Sequence, residues 1–144
     1  MTTSIRYRAI LDFEDEMRGN FLRSLINTVS GKENTLRSFE EALEDVQVRQ
    51  IIDRGTEIIP VERICGSYSA NRNFDADFRP LRKETEERWV RIRQAYYTDV
   101  TLPAIDVYQI GDTYYVEDGH HRVSVARAIG QTFIDAHVKE VIVE

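Results

Sequence analysis

The chain has 144 residues, 42% of them hydrophobic, with a formal net charge of −6 and an isoelectric point near 5.2. That size and apolar share suit one compact domain with a helical appendage. The acidity excludes a non-specific nucleic-acid coat, which works by counterion release from clustered positive charge, although a local basic groove stays open.

In chain order, the stretch from Met1 to Arg6 leads into charged helix rather than an apolar signal core. No apolar run approaches a membrane span, so no membrane partner is expected. Cys65 stands alone, so neither an internal disulfide nor a cysteine-based zinc cage can form, and a cytoplasmic location is expected. Ile10, Phe13, Met17, Phe21, Leu25 and Val29 recur every three or four residues and predict one amphipathic helix. Ser30-Gly31-Lys32-Glu33-Asn34 predicts a break, with Asn34 or Thr35 capping a second helix whose stripe is Leu36, Phe39, Leu43 and Val46. Residues 1–50 are therefore expected to form an α-helical hairpin. It should pack on residues 51–144 or form the seam of a homodimer, because neither stripe can stay in water.

From residue 57 the pattern changes. Glu57 to Val61 predicts a short strand, interrupted by Pro60 in a manner suited to an edge. Ser67 to Asn73 predicts a polar loop, and the charged run from Arg82 predicts a helix with Trp89, Ile92 and Tyr96 on one side. The stretch from Arg72 to Arg93 mixes seven basic residues, Arg88 among them, with five acids, the pattern of a solvated helix laced with ion pairs. Ala104–Ile110 and Thr113–Val116 predict a hairpin around Gly111-Asp112. A helix ending at Gly130 and a last strand, Phe133–Val138, complete a small α+β fold.

The strongest chemical signal is Tyr-Tyr-Val-Glu-Asp-Gly-His-His-Arg, residues 114–122. A strand that turns through glycine into a helix brings free backbone N–H groups to one point, with the positive end of the helix dipole behind them. Arg122 adds a planar cation suited to phosphate. The pattern points to an anion site for a nucleotide or phosphoryl group. Plainer readings stay open: Gly119 as a turn glycine, Asp118 as a helix cap, and Arg122 paired with Glu117 or Asp118. His120 and His121 are adjacent, so their side chains diverge by about 100° on a helix and do not readily serve one site together. With His137 they lack the spacing and ligand number of a zinc site.

Residues 57–143 resemble the ParB/sulfiredoxin superfamily, which includes chromosome-partitioning proteins, sulfiredoxins and free-serine kinases. The resemblance is carried by the loop Ile64–Arg72, by Leu102-Pro103 before the hairpin, and by the Gly-x-x-Arg motif Gly119-His120-His121-Arg122. It implies a small mixed sheet with helices. It also implies a bound nucleotide with Mg2+, phosphates on Gly119, His120, His121 and Arg122, and Arg72 opposite with Ser67 and Asn71 beside it. By the same resemblance Asp118 would hold the metal or act as base, and Asp118 and His120 would be the catalytic pair.

Sulfiredoxins carry a cysteine nucleophile where this chain has His120, so their chemistry is not expected. Partitioning proteins carry an acid there, while the serine kinases show Asp-Gly-His-Thr-Arg, close to Asp118–Arg122 here. Three functions compete. They are a nucleotide-binding regulatory domain with slow hydrolysis, a kinase of a small hydroxyl metabolite, and a DNA-associated or nuclease-like protein acting through a larger complex.

Overall fold

The computed structural model describes residues 2–30 and 35–144. Helix α1 (Thr2–Ser30) comes first. The two-residue strand β1 (Arg37–Ser38), the single-turn helix α2 (Phe39–Ala42) and the long strand β2 (Val48–Pro60) follow. Strand β3 (Ile64–Ser67), helix α3 (Glu86–Tyr97), the hairpin β4 (Ile105–Ile110) and β5 (Thr113–Asp118), helix α4 (His120–Ala128) and strand β6 (Phe133–Val143) complete the chain. The expected α+β class holds. The six strands form one mixed sheet in the order β1-β3-β5-β4-β6-β2.

The expected α-helical hairpin is not what forms. Arg37 and Ser38 pair in parallel with Gly66 and Ser67 of β3. Ser38 then caps a four-residue helix by accepting from the Glu41 amide at 3.4 Å. Phe39, placed on the helical stripe by its spacing, packs among Tyr68, Tyr108 and Tyr115 at ring distances of 5.0, 5.1 and 5.8 Å. An i, i+3 apolar pattern is compatible with one turn as well as with four, and the neighbouring strand decides between them. The strand expected at Glu57–Val61 is the end of β2, which pairs with β6 from Val48↔Val143 to Pro60↔Phe133. Residue 50, the expected end of the helical hairpin, lies inside that ladder. The expected break at Gly31–Asn34 lies outside the described residues, as do the side chains of Phe21 and Val29.

Helix α1 joins the same core as the sheet. Ala9 and Phe13 are buried with Trp89, Val90, Val123 and Val125, and Ile10 and Met17 pack against them. Phe13 meets Trp89 edge-on with ring centroids 5.6 Å apart. Full burial of a phenylalanine is worth roughly 1.5–3 kcal/mol, so this contact anchors the helix. Asp12 strengthens it by accepting from Arg93 Nε at 2.8 Å and from the Tyr97 hydroxyl at 2.7 Å. Leu25, placed by its spacing on the same stripe as Phe13 and Met17, is instead exposed on the outer face of α1 with Leu22 and Ile26. Trp89 also donates from Nε1 to Ser124 Oγ at 2.9 Å, which fixes α3 against α4. Among the described residues no helix is long and apolar enough to cross a membrane.

Candidate functional site

The corner between β5 and α4 is built around Gly119, whose φ of +112° is open to glycine at little cost. Space there is as tight as the dihedral: a Cβ on Gly119 would fall 2.5 Å from Ile105 Cγ2. No side chain caps the start of α4, and the first intrahelical bond runs from the Val123 amide to the Gly119 carbonyl at 3.0 Å. The amides of the first turn are thus left facing outward, with the positive helix end behind them.

They open into a pocket of about 230 Å³ lined by Asn71, Asn73, Arg88, Ile92, Asp118, Gly119, His120, His121 and Arg122. A second pocket of about 420 Å³ shares Asn73, Arg88 and His121 with it and adds Glu84, Thr85, Glu87 and Arg91. The two make one polar groove between α3 and α4. Six of the residues singled out by sequence meet here: Asn71, Asp118, Gly119, His120, His121 and Arg122.

Arg72 is exposed and does not line the pocket. The cation facing α4 is Arg88, which sequence assigned to a solvated helix face. Its signal was present only as helical phase: Trp89 is buried, so Arg88 sits one residue aside, at the margin of the packed face. Cys65 is half-buried on β3 and lines neither pocket.

Arg122 has partners inside the protein. Its Nη1 donates to the carbonyls of Pro103 at 2.6 Å and Ala104 at 2.9 Å, and Nη2 donates to Asp118 Oδ2 at 3.1 Å. Of the five guanidinium hydrogens, Nε–H and one on Nη2 remain for a ligand. Asp118 is well exposed and is the one carboxylate lining the smaller pocket. One of its oxygens, Oδ2, already faces the Arg122 guanidinium. No group of three or more histidine, cysteine or acidic side chains that could hold a metal gathers among the described residues.

Both histidines pack against the loop between β3 and α3. Its bend is fixed by Asp75 Oδ1, which accepts from the amides of Asp77 and Arg79 at 2.9 and 2.8 Å. The His120 ring lies nearly parallel to Phe74 at 6.4 Å and close to Phe78, while His121 meets Phe74 edge-on at 5.1 Å. Burial pushes His120 down to about 4. Burial, then the positive charges of Arg88 and His120, push His121 down to about 4 as well. Both rings are therefore neutral at neutral pH. Ser67, buried at the end of β3, lies 2.7 Å from His120 Nε2 through its Oγ.

Fold and site together define an α+β domain on a mixed six-stranded sheet, with a polar, cation-flanked groove at the start of α4. Among solved structures the chain is similar to a sulfiredoxin from Arabidopsis thaliana, with a TM-score of 0.44 and 19% identity, over 59% of this chain and 84% of that one. No family model matches the chain, and no curated protein does.

Proposed function

We propose that this protein binds a nucleotide or a related phosphate ester in the groove between α3 and α4, and that it works as a nucleotide-responsive regulatory domain. The observation that carries the reading is the uncapped start of α4 at Gly119, opening into a pocket that Arg88 flanks from α3. Outward amides, a helix dipole and a guanidinium are the elements that hold phosphate without base-specific contacts. Asn71 and Asn73 add side-chain amides on the same wall. The adjoining 420 Å³ gives room for the rest of a nucleotide beyond its phosphates.

A second reading, phosphoryl transfer to a small hydroxyl compound, is favoured by the neutral His120 ring in the same pocket. Titration calorimetry with ATP, ADP, CTP and GTP, with and without Mg2+, tests the binding. Product analysis then separates the two readings. Nucleoside diphosphate with free phosphate means hydrolysis, a phosphorylated metabolite means transfer, and intact nucleotide means binding alone. Absence of heat with all four nucleotides would sink the proposal.

A further inference from the structure

Ser67 and His120 are 53 positions apart in sequence and meet where β3 ends against the first turn of α4. The Ser67 hydroxyl has two close neighbours, the Ser69 carbonyl oxygen at 2.6 Å and His120 Nε2 at 2.7 Å. A carbonyl only accepts, and a hydroxyl carries a single proton. With that proton committed to Ser69, the contact to Nε2 is a hydrogen bond only if the ring nitrogen donates. A neutral imidazole has one N–H, so Nδ1 then carries the lone pair.

Nδ1 makes no hydrogen bond among the described residues, and it is not one of their buried unpaired atoms, where Arg127 Nε stands alone. It is thus reachable by solvent, on a ring that lines the pocket. The parallel Phe74 ring and the nearby Phe78 ring limit the positions the imidazole can take.

We infer that Ser67 is a positioning residue that fixes His120 as the Nε2–H tautomer, making Nδ1 the pocket's acceptor for a hydroxyl hydrogen of the ligand. The ligand class that follows is a phosphate ester bearing a free hydroxyl, rather than a bare anion. The ligand half rests on the phosphate reading above; the tautomer does not. Burial keeps the ring neutral at neutral pH, so Nδ1 accepts there and does not donate.

Nitrogen-15 spectra of the ring-labelled protein at neutral pH test the tautomer. His120 should show a protonated Nε2 and a bare Nδ1. Ser67→Thr, which keeps the hydroxyl, should preserve that state, and Ser67→Ala should give a mixture. A predominant Nδ1–H form in the unaltered protein overturns the inference, as does an unmixed Nε2–H form in Ser67→Ala. Should Ser67→Ala fail to fold, the unaltered and Ser67→Thr spectra still decide.

For the ligand, inorganic phosphate and glycerophosphate are titrated in parallel. Glycerophosphate should bind about threefold to tenfold more tightly, the worth of one added neutral hydrogen bond. His120→Phe, which keeps a flat ring against Phe74, should erase the difference. Equal affinity in the unaltered protein overturns the ligand half. Binding of neither probe overturns the phosphate reading and the ligand half with it, while the spectra still judge the tautomer.

Discussion

Arg122 donates to the Pro103 carbonyl at 2.6 Å across a separation of 19 residues, so the Gly-x-x-Arg corner and the Leu-Pro entry to the hairpin hold each other in place. The Ala104 carbonyl shares the same nitrogen at 2.9 Å. Hydrogen bonds from a charged donor are worth roughly 1.5–3 kcal/mol each, and removing the donor leaves its acceptors unpaired. The exposed pair with Asp118 adds little. Arg122→Ala should therefore lower unfolding stability by about 2–4 kcal/mol, seen as an earlier midpoint in urea with an unchanged slope. A stability equal to that of the unaltered protein would mean that these bonds hold nothing together.

Arg88 should behave in the opposite way. It is exposed on α3, so Arg88→Ala should leave stability within about 0.5 kcal/mol. Its loss should weaken nucleotide binding about tenfold or more, since a charge-assisted bond to phosphate disappears. Arg72→Ala, outside the pocket, should change affinity little. Calorimetric titrations of the two variants with one nucleotide give the comparison, and a larger loss at Arg72 than at Arg88 would reverse the assignment.

Gly119→Ala combines two costs. The residue sits at φ +112°, and the added Cβ would press on Ile105 Cγ2 at 2.5 Å. A strained backbone of this kind costs on the order of 1–3 kcal/mol before the clash is counted. Ile105 is fully buried, so it has no free space to retreat into. Thermal unfolding should show a marked fall in Tm, and a Tm within a degree or two of the original would mean that the corner can relax.

Acid should destabilise the fold through His120 and His121, both held down at about 4 mainly by burial. An unfolded chain binds protons at these rings from about pH 6.5 downward, whereas the folded one does not until about pH 4. The stability they support is complete above pH 6.5 and is lost progressively as the pH falls toward 4. Urea midpoints at several pH values should decline over that window. His120→Phe with His121→Gln should flatten that part of the profile, and an unchanged decline in the double variant would place its cause in other groups.

The homodimer expected from the sequence now has one concrete surface, the outer face of α1 with Leu22, Leu25 and Ile26 exposed. Sedimentation at micromolar concentration should give twice the chain mass, and Leu25→Glu should return it to that of a single chain. A single-chain mass in the unaltered protein removes the dimer.

Some of this architecture can be read directly from the residues. The hairpin turn at Gly111 fixes its own geometry with φ +61°, and the Gly119 corner is written in a strand-forming run, a glycine and a helix-forming run. The face of α1 carrying Phe13 and Met17 follows from helical period alone, and those residues do pack inward. These are local features, decided by backbone sterics and by the spacing of apolar side chains within a few residues.

What the tertiary structure decided depends on partners distant in the chain. Val48–Pro60 is a strand because β6 offers it a full ladder, although the sequence pattern there suggested helix in its first part. Phe39 leaves its helical stripe because three tyrosines from β3, β4, β5 and their borders surround it. Arg88 rather than Arg72 lines the pocket at the uncapped helix end, and Ser67 reaches His120, because of how α3 and the end of β3 lie against α4. A single sequence specifies turns and faces through short-range sterics, whereas which side chains share one pocket depends on how the faces close on one another, and that is fixed only when the whole core packs.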